Sequence, residues 1–196
     1  MRVRLTSLFL TMLLVPAVAS AESHKADYYT GVSGGTGGSS VKGLAQSLVF
    51  GCEKCGERWR WLGFTAADGS FQFGGHEGKD LTQATVQFGA RVTVTSLRKP
   101  PQNDTRVKLF VQGAGGFAYT NDGTDQSGTN GVGSFGFGAQ VFLHKQPVMS
   151  QSGTPTNKSH WGGLGFQWQY DYIWRTTRPG YWRTSGGVVI RFLHKE

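Results

Sequence analysis

Leu164-Gly165-Phe166-Gln167-Trp168-Gln169-Tyr170-Asp171-Tyr172-Ile173-Trp174 is the stretch that decides the fold. Its even positions, Leu164, Phe166, Trp168, Tyr170, Tyr172 and Trp174, are all large and apolar or aromatic. Its odd positions are Gly165, Gln167, Gln169, Asp171 and Ile173. A period of two is the signature of a strand. A sandwich strand in water hides a few aliphatic side chains, whereas this one sets six bulky groups against glycine, amides and a carboxylate. After Pro179-Gly180 the pattern returns, with Trp182, Val188, Ile190 and Phe192 opposed by Arg183, Ser185, Gly187 and Arg191. Apolar outside and polar inside, with aromatics toward the ends, is what a transmembrane β-barrel requires, because lipid lies outside and water or a polar plug within.

The alternation extends backwards along the chain. Ala84, Val86, Phe88, Ala90, Val92 and Val94 alternate with Thr85, Gln87, Gly89, Arg91 and Thr93. Pro100-Pro101-Gln102-Asn103-Asp104 then forms a turn, since proline cannot continue a ladder. Val107, Leu109, Val111, Phe117 and Tyr119 oppose Lys108, Gln112, Ala114, Gly116 and Ala118. Phe135, Phe137, Ala139, Val141 and Leu143 oppose Gly136, Gly138, Gln140 and His144. The first third is less regular. Gly34 to Ser40 reads as a loop, with no Lys-Ser/Thr at phosphate-loop spacing, and Trp59 and Trp61 conflict in parity with Leu62 and Phe64.

The reading is all-β: an eight-stranded, antiparallel, up-and-down transmembrane β-barrel. The strands are expected near 27–33, 42–50, 58–66, 81–96, 106–120, 131–144, 160–174 and 181–192. An even count puts both ends in the periplasm. Loops near 34–41, 67–80, 121–130 and 175–180 would then face outward and turns near 51–57, 97–105 and 145–159 inward, the latter longer than is usual on that side.

Arg2 and Arg4 precede an apolar run from Leu5 to Val15, then Pro16 and the small residues Ala19-Ser20-Ala21. This reads as a signal peptide, 1–21, cleaved to leave one domain, 22–196. The run is too short for the ~20 residues of a spanning helix. Without Arg2 and Arg4, the Lys+Arg count falls from 20 to 18 against 12 Asp+Glu, a net charge of +6. The basic residues are spread over several loops and faces, so a nucleic-acid surface is not expected. The excess suits solvation or contact with anionic head groups.

The outward set expected against lipid is Val86, Phe88, Phe135, Phe137, Phe166, Trp168, Tyr170, Tyr172, Trp174, Trp182 and Ile190. The set expected to meet inside is Arg91, Lys108, Gln112, Gln140, Gln167, Gln169, Asp171, Arg183 and Arg191. A barrel of eight strands is just wide enough for side chains to fill, so these should form a plug with Asp171 matched by arginine. Cys52 and Cys55 are two cysteines only, and a four-thiol zinc site needs two more. A disulfide pinching the turn is the expectation over free thiols. No metal or other cofactor is implied.

Taken together, Phe110 to Tyr119, Gly136 to Val141, Gln169 to Tyr172 and Gly187 to Phe192 resemble the eight-stranded outer-membrane β-barrel superfamily, the OmpA-type and OmpX-type transmembrane domains. The likeness covers roughly the last 120 residues. It implies an assembly signal at Ser185, Gly187, Ile190 and Phe192, read by the barrel-assembly machinery. It also implies residence in the outer membrane of a Gram-negative bacterium, among its lipids and lipopolysaccharide. Some barrels of this kind modify lipid A with a paired histidine and serine. None of His24, His76, His144, His160 or His194 stands two residues before a serine, and His76 with Asp80 and Ser70 reads as loop. His144 and His160 are expected at strand ends in the interfacial layer. The expectation is a structural or surface-interacting protein without catalysis. The alternatives are a secreted lipocalin-like barrel, which needs the reverse polarity, and a lipid-A-modifying enzyme.

Overall fold

The computed structural model describes residues 24–36, 40–52, 62–76, 79–94, 105–121, 127–150, 152, 154–176 and 179–192. They form eight strands: β1 His24–Thr36, β2 Ser40–Cys52, β3 Leu62–His76, β4 Lys79–Thr93, β5 Val107–Asn121, β6 Gly128–Met149, β7 Pro155–Arg175 and β8 Tyr181–Phe192. Each pairs antiparallel with the next, and β1 pairs with β8, so the sheet closes on itself with no unpaired edge strand. The seam runs from Ala26 opposite Phe192 to Thr36 opposite Trp182. We call the end where β1 begins and β8 finishes the terminal rim, and the opposite end the far rim.

The alternation of side chains decides what fills the barrel. In β7 the burial switches at every step, with Phe166 57% exposed, Gln167 2%, Trp168 46% and Gln169 1%. β8 alternates in the same way, Arg183 and Arg191 inside, Trp182 and Phe192 outside. The core is therefore a column of mainly polar side chains, with an apolar layer of Ala118, Val132, Ile173 and Tyr181 toward the far rim.

Two departures from the expected strand limits have a physical cause. The strand expected at 58–66 is instead β3, Leu62–His76, and the loop expected at 67–80 shrinks to the turn between His76 and Lys79. Gly69, Gly74 and Gly75 dilute the pattern, and a register shift between Thr65 and Asp68 inverts its parity midway. Backbone pairing with β2 and β4 holds the strand regardless. The turn expected at 145–159 is also mostly strand, since β6 runs to Met149 and β7 starts at Pro155. His144 and His160 therefore sit within a β-ribbon and not at strand ends.

A bulge marks where that ribbon leaves the barrel. Phe142 pairs with Gly165 but His144 pairs with Gly162, so β7 carries one residue more than β6 across the interval. Gly163 takes φ of 67°, the left-handed geometry that glycine adopts without a Cβ penalty. The expected loop 175–180 agrees closely with the β7–β8 turn, while the expected turn 97–105 and the pair Trp59 and Trp61 lie almost wholly outside the described residues. The segment 1–21 lies outside them too.

Candidate functional site

The lumen holds the densest chemistry of the described residues. Arg91 on β4, Lys108 and Gln112 on β5, Gln140 on β6, Gln167, Gln169 and Asp171 on β7, and Arg183 and Arg191 on β8 are all buried. They are brought together because each occupies the inward parity of its strand.

Their hydrogen bonds close a ring. Arg91 donates from Nε and Nη2 to Gln112 Oε1, at 3.0 and 2.7 Å, and from Nη1 to Gln167 Oε1 at 3.3 Å. Gln112 Nε2 donates to Asp171 Oδ1 at 3.2 Å. Gln167 Nε2 donates to Gln169 Oε1 at 2.8 Å, and Gln169 Nε2 to Asp171 Oδ2 at 2.9 Å. Five side chains from β4, β5 and β7 thus form a cycle, to which Arg183 adds an ion pair with Asp171 at 2.9 Å.

A second charge cluster lies nearer the terminal rim. Arg191 grips Asp27 with Nε on Oδ1 at 2.6 Å and Nη2 on Oδ2 at 2.5 Å, a two-bonded pair across the β1–β8 seam. Gln140 Nε2 bridges this cluster to the ring, reaching Asp27 Oδ2 at 3.3 Å and Gln167 Oε1 at 2.8 Å. Toward the far rim, Ser134 donates to Gln87 at 3.0 Å, and Arg175 and Tyr181 both meet Gln83. Asp27, Gln83, Gln87 and Ser134 are network members that the sequence pattern did not single out.

Among the described residues, four rings also point inward, against the expectation that aromatics face out. Tyr29, Phe110, Phe142 and Tyr181 are buried. Three carry a guanidinium: Arg91 lies 4.0 Å from the Phe110 ring centre, Arg191 4.5 Å from Phe142 and Arg175 5.1 Å from Tyr181. Lys108 lies 5.9 Å from Phe142. A cation over a ring face is favourable by about 0.5–2 kcal/mol, which lets rings share a lumen with charges.

The outer wall has the opposite character. Phe88, Phe135, Phe137, Phe166, Trp168, Tyr172, Trp174, Trp182, Ile190 and Phe192 are exposed, while Val86 and Tyr170 are half-buried there. Across β6, β7 and β8 five rings form a connected group. Tyr170 stacks on Trp182 at 4.8 Å and on Trp168 at 6.4 Å, with Phe137 and Tyr172 edge-on. Trp168 donates its indole N–H to Thr184 at 3.1 Å, so the polar end of the ring is satisfied within the wall.

Ser185 and Gly187 face inward on β8 while Ile190 and Phe192 face outward. Gly187 lies against the backbone of Thr30 and Gly31 in β1, leaving no room for a Cβ. Cys52 ends β2, but Cys55 lies outside the described residues, as do the side chains of Ser70 and His76. Among the described residues, no three His, Cys, Asp or Glu side chains converge as metal ligands.

No family model matches the chain, and no curated protein does. Among solved structures, a designed transmembrane β-barrel aligns with TM-score 0.44 at 12% identity, over 88% of this chain and 98% of that one. Neisserial surface protein A aligns with TM-score 0.53 at 13% identity, over 87% of this chain and 98% of that chain. The chain shares the fold of that surface protein, and its own eight strands form an antiparallel barrel closed between β1 and β8.

Proposed function

We propose that the protein is an integral outer-membrane β-barrel with a structural or surface-interacting role and a lumen plugged by its own side chains. The observation that carries this reading is the inversion of polarity. Phe88 and Phe135 are 59% and 60% exposed while Arg183 and Asp171 are 1% and 0%. In water this arrangement would leave an apolar belt wetted and gain nothing from burying charge. In a bilayer acyl chains meet the belt, the closed ladder pairs the backbone, and the charged groups are better kept together in the lumen than turned toward hydrocarbon. The fold shared with an outer-membrane surface protein points the same way. The glycine-aromatic runs and the Ser185, Gly187, Ile190, Phe192 signal favour kinship with OmpA-type and OmpX-type domains, and delivery by the barrel-assembly machinery. Lipids of the outer membrane, lipopolysaccharide included, would then be the constant partners. No catalytic role and no cofactor are assigned.

A lipocalin-like carrier would need an apolar interior, and the polar column argues against it. The lipid-A-modifying alternative rests on Ser70 and His76, and lipid A acylation is expected to be unchanged when both are replaced by alanine. The decisive experiment is fractionation followed by gel migration. The mature protein should be recovered with outer membranes and should migrate differently before and after boiling in detergent. Recovery in the soluble periplasm, with no shift, would refute membrane insertion.

A further inference from the structure

The β6–β7 hairpin overshoots the barrel at the terminal rim. Among the described residues, β5 follows β6 as far as Arg106, whose carbonyl accepts from Phe142 N–H at 3.0 Å, and β8 follows β7 as far as Gly163 opposite Arg191. Yet β6 continues to Met149 and β7 begins at Pro155.

The chemistry of the outer wall changes where the overshoot begins. Among the described side chains, the last apolar ones on β5 to β8 before it are Val107, Leu143, Leu164 and Phe192, all exposed. One step beyond them stand Arg106, Lys145 and Trp161. The extra residue at the Gly163 bulge reverses the parity of β7, so Trp161, on the lumen parity of Gly165 and Gln167, becomes the cross-strand partner of exposed Lys145 and shares its face. The Arg106 guanidinium lies 5.6 Å from the Trp161 ring centre and the Lys145 ammonium 5.7 Å from it. An indole set between two cations, directly past the end of an apolar belt, is placed where acyl chains give way to head groups.

We infer that Arg106, Lys145 and Trp161 bind the phosphate of an anionic phospholipid in the leaflet at the terminal rim, with the Trp161 ring resting on its glycerol and upper acyl chain. This rests on the membrane-spanning reading above. An acidic protein segment would meet the two cations but would have no use for the apolar wall beside them, and that continuity selects a lipid.

The test uses the full mature chain refolded into vesicles of phosphatidylcholine, alone or with equal mole fractions of brominated phosphatidylglycerol or brominated phosphatidylcholine. Trp161 emission is isolated by subtracting the Trp161→Phe variant, and the boiling shift on gels reports folding in every sample. Brominated phosphatidylglycerol should be enriched at Trp161 by about tenfold over brominated phosphatidylcholine, as expected for two surface cations partly screened by salt. The preference should fall to near parity in Arg106→Gln/Lys145→Gln and shrink as salt is raised on the unaltered protein, which covers the case of a variant that folds poorly. Equal quenching by the two lipids in folded protein would overturn the inference alone. So would a preference that persists in the double variant, or capture of a poly-glutamate peptide that phosphatidylglycerol does not displace. Absence of the boiling shift in all vesicles would overturn the membrane reading and the inference with it.

Discussion

Arg191 and Asp27 meet across the seam through two charge-assisted bonds, and both are buried. Removing one partner strands the other, so Arg191→Met should cost about 3–5 kcal/mol in reversible urea unfolding from vesicles. Replacing Asp27 by Leu at the same time should recover most of that loss, because no lone charge remains. Two neighbouring glycines give a second contrast. A Cβ at Gly186 would meet nothing within 4 Å, whereas one at Gly187 would strike the Thr30 and Gly31 backbone. Gly186→Ala should leave unassisted refolding into detergent unchanged, while Gly187→Ala should lower stability by about 1–3 kcal/mol or prevent closure. At this scale the parity of β7 and β8 sets Asp171 on the same inward face as several arginines, but period alone does not select Arg183 as its partner, which depends on how the two strands are aligned. Asp27 was hidden because the adjacent Tyr28 and Tyr29 give β1 no readable parity. Phe110 and Phe142 were hidden because a period-two rule equates apolar with lipid, and only three-dimensional proximity to Arg91 and Arg191 explains rings inside.

The strands differ in how openly the sequence declares them. β4, β5, β7 and β8 alternate cleanly and were legible to within a few residues, because lipid on one side and polar groups on the other impose opposite demands at each step. β3 was not, since its shift between Thr65 and Asp68 breaks the period that a reader relies on. The outer half of the β6–β7 ribbon reads as a turn in the sequence, where Pro147, Gly153 and Pro155 punctuate it. Proline sits readily on a ribbon with an unpaired side. The ribbon and the β5–β6 connection lie at opposite rims, so if both chain ends sit in the periplasm, as the sequence reading has it, the ribbon faces inward and the β5–β6 connection outward. An epitope inserted at Ser152 should be reached by antibody only after the outer membrane is permeabilised, and one inserted between Asn121 and Ser127 should be reached on intact cells. Labelling of both on intact cells would refute the assigned orientation.

For the molecule as a whole, the cycle through Arg91, Gln112, Asp171, Gln169 and Gln167 joins three strands, and the Arg191, Asp27 and Gln140 cluster adds three more. The plug we propose rests on this cross-linking and on the little room that a barrel of eight strands leaves. Refolded protein in a planar bilayer should therefore pass no steady current. Arg91→Ala/Phe110→Ala, which removes a stacked pair at the middle of the column, should admit small, brief openings. Steady conductance of the unaltered protein would refute the plug.

Every pairing but one in this barrel joins strands that follow each other along the chain; only β1 and β8 must find one another across the full length of the fold. That last pairing is keyed. A slide of one residue in either direction would turn Arg183 and Arg191 toward acyl chains and part the Asp27 contact, and in one direction it would also bring Val188 to the place where Gly187 passes Gly31. Misaligned closure is penalised by charge both ways and by bulk one way, so the cylinder inspects its own final seam.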